Sequence, residues 1–296
     1  MASVVLLGGS AAGAVYVNAQ DNGGADFMSS SPSAAQSSAS AGSGEEPSVE
    51  PVTAPAVDRD ALLAEAMSSV TVQDGAKVSV SVLDVDSGES AAYGTGAFDT
   101  ASIVKVDILA TLLLQAQDAG RVLTASEKAN ATVMIENSDN TAATTLWNAI
   151  GQADGLDSAN KEFGLTDTEG GDGALWGLTQ TTAADQLTLL QQVFGNDSKL
   201  SEASQTYIQG LMSEIAVDQH WGVSAAADGS EWALKNGWLA RSTTGLWDIN
   251  SIGQVTSGTH HYLVAVLSDG NASMTGGIAA VERAARTAVS SARAAD

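Results

Sequence analysis

Apolar residues recur along this chain at two periods, and the switches between them mark its elements. In 58–70, Asp58 and Asp60 precede Leu62, Leu63, Ala66 and Met67, an acidic first turn followed by apolar positions at helical spacing, which predicts a helix. From Lys77 to Asp84 apolar and polar residues alternate, Asp86-Ser87-Gly88 supplies a turn, and Ser90 to Tyr93 completes a predicted hairpin. A largely apolar stretch from Ser102 to about Ala119, stopped at Gly120, predicts a long helix. Residues 124–215 read as mainly helical, with segments at 126–136, 140–150, 154–163 and 182–194, the last opened by a Thr181/Thr182 cap. The period then shortens: 231–238, 245–252 and 261–268 are strand-like, and an alanine-rich helix over 275–293 closes the chain. Helix and hairpin, helical middle, three strands, helix: the order predicts an α+β fold. Its first and last segments share one antiparallel sheet of about five strands, flanked by the N- and C-terminal helices, with the helical middle inserted.

The pattern before residue 57 is different. Residues 4–18 are apolar and small, and Val17-Asn18-Ala19 has the small-residue look of a signal-peptidase site, so 1–20 reads as a signal peptide or as a membrane anchor. Only Met1-Ala2-Ser3 precedes the run, with no basic residue. From 21 to 56 the chain is Ser, Ala, Gly, Pro and acid, too poor in large apolar side chains to offset the entropy of ordering, which predicts a disordered tether. A folded domain over 57–296 on such a tether suits work outside a membrane, secreted or tethered, facing a cell wall. No internal repeat is visible.

Composition narrows the partners. With 35 acidic against 12 basic residues and a net charge of -23, the chain lacks the clustered Lys and Arg that nucleic acid or an anionic membrane surface requires. The absence of cysteine excludes disulfides, thiolate metal sites and a thiol nucleophile. The three histidines, His220, His260 and His261, lack helical metal-ligand spacing, and adjacent strand residues point to opposite faces, so neither a metal nor another cofactor is expected.

Candidate chemistry begins with Lys105, set among Val104, Val106 and Ile108, where a plain helix would carry Leu or Ala. Ser102 precedes it by three positions, on the same face of a helix, so the amine can reach the hydroxyl. Desolvation favours a neutral lysine, the form that takes a proton from serine. A snorkelling lysine and a helix-capping serine would give the same letters. Ser138-Asp139-Asn140 adds a hydroxyl and an amide on a loop, though it is also common turn composition. Lys235-Asn236-Gly237 puts a lysine on a strand beside a glycine that permits close backbone approach.

Taken together and in this order, Ser-x-x-Lys, Ser-Asp-Asn and Lys-x-Gly resemble the class A β-lactamase and penicillin-binding-protein superfamily over about residues 58–293. The resemblance implies that Ser102 is acylated, with Lys105 as proton acceptor or relay. Ser138 would pass a proton to the leaving nitrogen, and Asn140 would hold Lys105 or the substrate amide. Lys235 would bring positive charge near Ser138 and the substrate carboxylate. Asn236 and Gly237 would line the substrate, and the N–H groups of Ser102 and Trp238 would form the oxyanion hole. Arg241 would assist the carboxylate, at a spacing from Lys235 that is not the family's usual one.

Three departures bear on function. Asn236 stands where the family offers a Thr or Ser hydroxyl. The segment from Ser102 to Ser138 is short, which implies a wider cleft. The loop at 166–178 lacks the family's Glu-x-x-Leu-Asn deacylation motif; Glu169 is the nearest stand-in for its base and Asp172 the next. The expected activity is amide hydrolysis, of a β-lactam or a cell-wall peptide, through an acyl-serine. The alternative is a penicillin- or peptidoglycan-binding or sensing module with slow or absent deacylation. A monomer is expected. Trp147, Trp232 and Trp247 are assigned to the core, and Trp238 and Trp176 are candidates to face substrate.

Overall fold

The computed structural model describes residues 57–295 apart from 74 and 230; the expected signal or anchor segment and the tether lie outside the described residues. Helix α1 (Arg59–Met67) is capped by the Asp58 carboxylate, which accepts from the Ala61 N–H. Strands β1 (Lys77–Asp84) and β2 (Ser90–Tyr93) form the hairpin. After β5 (Trp232–Ala240), β6 (Trp247–Ser257) and β7 (His260–Asn271), the closing helix α8 (Met274–Ala294) returns to α1. The order β2-β1-β7-β6-β5 makes one antiparallel sheet of five strands, with first and last segments joined at the β1/β7 pairing. The expected α+β architecture is therefore present.

Period-two burial assigns the faces of this sheet. On β7, Tyr262, Val264 and Val266 pack with Leu63 and Met67 of α1 and Val281 and Ala284 of α8. The alternate residues Leu263, Ala265 and Leu267 pack with the inserted helices. At the centre of that layer is α2 (Val104–Asp118), buried nearly all round, which is why its sequence shows little amphipathic periodicity. Around it stand α3 (Ala125–Glu136), α4 (Asn140–Ile150), α5 (Gln152–Phe163), α6 (Ala183–Phe194) and α7 (Glu202–Ser213). Thr124 and Glu127 start α3 with a reciprocal capping box.

Three details differ from expectation. Ser102 lies in a 3-10 turn, Ala101–Ile103, that feeds α2 instead of in its first α-helical turn. Strand β6 continues to Ser257. Two-residue strands, β3 (Phe98–Asp99) and β4 (Gln180–Thr181), pair with each other and tie the approach to Ser102 to the end of the 166–178 loop.

Candidate active site

Ser102 sits on a turn held in an unusual backbone state. Ala101 has φ 47°, a region costly for a residue with a Cβ. The Asn250 side chain of β6 holds the turn, donating from Nδ2 to Asp99 O at 2.9 Å and Thr100 O at 3.0 Å, while its Oδ1 accepts from Ser268 N. Asn250 was not legible from its letters, because a polar residue on a strand looks the same whether it faces water or a buried carbonyl pair.

Lys105 is fully buried. Its Nζ lies 3.0 Å from Ser102 Oγ, 3.0 Å from Ser138 Oγ, 2.7 Å from Ser138 O and 2.8 Å from Asn140 Oδ1. Burial pushes the amine down to about 7, with the Asp139 carboxylate opposing the fall. Asp139 also caps α4, accepting from Ala142 N, so the loop delivers its hydroxyl and amide from the start of a fixed helix. Ser138 itself has φ 58°. The Trp176 ring covers Lys105, with its centroid 4.9 Å from Nζ, and its indole N–H donates to Thr144 Oγ1 at 3.1 Å. Trp176 thus shields the amine on one side.

Strand β5 is an edge of the sheet, and its backbone runs against the Ser102 turn. A Cβ on Gly237 would fall 2.7 Å from Thr100 O and 2.9 Å from Ser102 N, so only glycine allows this approach. The main chain of 237–238 is thereby set beside the Ser102 N–H. Lys235, two residues earlier and on the same face, is fully buried. Burial, and next the neighbouring Lys105 charge, hold its amine well below the usual lysine range.

Alternation along β5 also turns Asn236 away. Its Nδ2 donates to Gln219 O at 2.7 Å and Trp221 O at 3.1 Å, so the amide expected to meet substrate instead clamps the segment before β5. Trp238 shares that face, its ring 6.0 Å edge-on from Trp221 and packed on the terminal-helix core; only its N–H is directed by the β5 backbone. Arg241 contacts the Asp99 carboxylate and lies 3.6 Å from Asp248 Oδ2, a position engaged with acids and not with Lys235. Trp147 is fully buried, and Trp232 and Trp247 are partly buried against the terminal-helix core.

Glu169 is separate from this network. Its N–H and C=O pair with Gln180 at 2.9 Å each, its side chain is exposed, and it forms no hydrogen bond with Ser102, Lys105, Ser138 or Asn140. Gly170 N donates to Asp157 at 2.8 Å and Thr168 Oγ1 to Asp185 at 2.7 Å, which hold the loop down on α5 and α6. Asp172 is exposed as well. Among the described residues, one group of three could surround a metal ion: Asp84, Asp86 and His260 at the β1–β2 turn. There His260 Nδ1 is 2.7 Å from Asp84 Oδ2, a direct pair, and His261 reaches Asp86, because the turn wraps both histidines at the strand's start.

An α+β fold with a five-stranded sheet, and a serine, a lysine and a Ser-Asp-Asn loop converging at its edge, defines the serine β-lactamase and penicillin-binding-protein class. The chain matches the model of the Beta-lactamase enzyme family over residues 122–292, and it belongs to that family. The match spans Ser138 and Lys235 but begins after Lys105. Structural likeness extends further. A structure of PBP-A is 21% identical, covering 79% of this chain and 96% of that one at a TM-score of 0.67. A β-lactamase from Chitinophaga pinensis DSM 2588 is 17% identical, covering 80% and 100% at 0.66. The TLA-3 extended-spectrum β-lactamase is 15% identical, covering 77% and 97% at 0.69. At these identities the likeness is one of fold. A sequence search among curated proteins returns no match.

Proposed function

We propose that this protein acylates Ser102 with an amide substrate, a β-lactam or a cell-wall peptide, and releases the acyl group slowly. The observation that carries this reading is the position of Lys105 Nζ, within 3.0 Å of both Ser102 Oγ and Ser138 Oγ, with its amine pushed down to about 7. Neutral Lys105 takes the Ser102 proton as the Oγ–C bond forms. The N–H groups of Ser102 and Trp238 receive the oxyanion. As the C–N bond breaks, Ser138 Oγ gives its proton to the leaving nitrogen and is reprotonated from Lys105. The Asn140 carboxamide orients Lys105, and an incoming substrate carboxylate favours the protonated form of Lys235, whose amine burial otherwise holds low.

Hydrolysis of the ester then needs a base for water. Glu169 and Asp172 are exposed and outside the hydrogen-bonded set, which favours slow release and supports the second reading, a penicillin-binding or wall-sensing module. Arg241 and Asn236 are occupied elsewhere, which leaves the substrate carboxylate chiefly to Lys235 and Ser138. The domain is read as exported and monomeric, working at the wall on the tether of 21–56.

Intact-mass time courses with penicillin, a cephalosporin and a muropeptide test this directly. A stoichiometric adduct on Ser102 that decays slowly, and is absent in Ser102→Ala, is the expected result. No adduct and no turnover with any of the three would reject the acyl-serine reading. Rapid turnover lost in Glu169→Gln would instead give the loop a catalytic base.

A further inference from the structure

At the end of the sheet away from Ser102, two turns bring ligand atoms of three side chains together. Asp84 closes β1, and Asp86 follows it in the turn to β2. Asp84 is paired with Tyr262, and Val85 N donates to His261 O at 2.8 Å, so the β1/β7 ladder runs on toward His260, the first residue of β7. Positions two apart on a strand share a face, which brings Asp84, Asp86 and His260 to one side. A carboxylate oxygen from each aspartate and a ring nitrogen of His260 all lie within 4.8 Å of one another. Helical ligand spacing is missing from the sequence because these ligands come from two paired strands. The place is separate from the acyl chemistry: Ser268, which bonds the Asn250 side chain beneath Ser102, is roughly 26 Å along β7 from His260.

All three side chains are already oriented. The Asp84 side chain is 1% exposed, and its Oδ1 accepts from Asp86 N at 2.8 Å and Ser87 N at 3.2 Å. That leaves Oδ2 directed at His260 Nδ1, 2.7 Å away. Asp86 Oδ2 accepts from His261 N at 2.8 Å. The His260 ring stacks on Tyr262, with 17° between the planes and 6.2 Å between centroids. Outer contacts that fix a ligand's direction in this way strengthen metal binding. The Asp86 and His260 side chains are 46% and 39% exposed, so an ion reaches them from solvent. A net charge of -23 gathers cations around the whole molecule.

We propose that Asp84, Asp86 and His260 bind one divalent transition ion, for which zinc is the probe, and that this ion ties the β1–β2 turn to the start of β7. Zinc bonds to carboxylate oxygen and imidazole nitrogen are about 2.0–2.2 Å long, which sets neighbouring ligands about 3 Å apart. Asp84 Oδ2 and His260 Nδ1 therefore separate only slightly as the ion takes the place of the proton between them, which leaves to solvent. The imidazole selects against calcium and magnesium, which take oxygen ligands. Water completes the shell on the exposed side.

The measurement is calorimetric titration of zinc chloride into full-length protein stripped of metal by a chelator, with the melting midpoint followed in parallel. One ion per chain is expected, and zinc at about 100 times its dissociation constant should raise the midpoint by about 5–10 °C. His260→Ala and Asp86→Asn should each weaken binding at least about tenfold and cut that rise by about half or more. Asp86→Asn, at an exposed turn position, guards against a misfolded His260 variant. His261→Ala keeps the backbone N–H on Asp86 and should bind zinc as the unaltered protein does. No saturable binding, binding untouched by both ligand variants, or binding without a rise in the midpoint would overturn the site. So would loss of binding in His261→Ala alone, or displacement of zinc by millimolar calcium.

Discussion

Four oxygen atoms crowd Lys105 Nζ, one more than the three protons of the ammonium can serve singly. With the amine neutral, the Ser102 hydroxyl becomes the donor. Because burial pushes Lys105 down to about 7, the neutral fraction grows as pH rises through that value. The acylation rate constant should therefore climb from pH 5 to about 7 and then level off, as rapid mixing with a chromogenic β-lactam would register. Lys105→Arg, charged at every accessible pH, should slow acylation at least about 100-fold. Asp107, two residues on, is the opposite case: it is buried, and neither carboxylate oxygen has a hydrogen-bond partner. Burial raises its acid to about 7, with nearby Asn160 opposing and Asp157 and Asp185 reinforcing. The folded state thus binds a proton that the unfolded chain has released, and stability falls as pH rises from about 4 to about 7. Asp107→Asn should gain about 1–3 kcal/mol at pH 8 and little at pH 4, read from urea midpoints.

At the scale of elements, the Ser102 turn is fixed from both sides by strands. Gly237→Ala would drive a methyl into Thr100 O and Ser102 N, and a displacement near 1 Å can cost about 100-fold in rate. Acylation should drop by that order, and the backbone clash at this buried position should also cost about 1–3 kcal/mol of stability, read from the denaturation midpoint. Asn250→Ala would leave Asp99 O, Thr100 O and Ser268 N without its amide, costing about 1–3 kcal/mol and slowing acylation as Ala101 relaxes. Long periodic segments were legible in the sequence: the hairpin, α2 and the strands around Lys235 all follow from their patterns. The two-residue strands β3 and β4 were not, since two residues carry no period. Ser102, Lys105, Ser138 and Asn140 could be chosen as a set from motif order, and the fold brings the other three within hydrogen-bond reach of Lys105. Asn236 and Trp238 could not be assigned a direction without the register of β5, because one step along a strand exchanges its faces.

For the whole molecule, the described residues from Val57 onward form one compact unit. A fragment beginning at Val57 should therefore fold and acylate at the full-length rate, a comparison that intact mass makes directly. The acidic excess in the sequence conceals how differently individual acids are used. Asp139 caps a helix, Asp185 anchors a loop and Asp248 lines a cavity, and a count of charges cannot separate them. The flat, pinned loop at 166–178 has a consequence beyond catalysis. If the ester is made quickly and lost slowly, the occupied fraction follows the accumulated dose of acylating agent and no longer its momentary concentration. Such a molecule keeps a running record of exposure, and the lifetime of the ester sets how far back that record reaches.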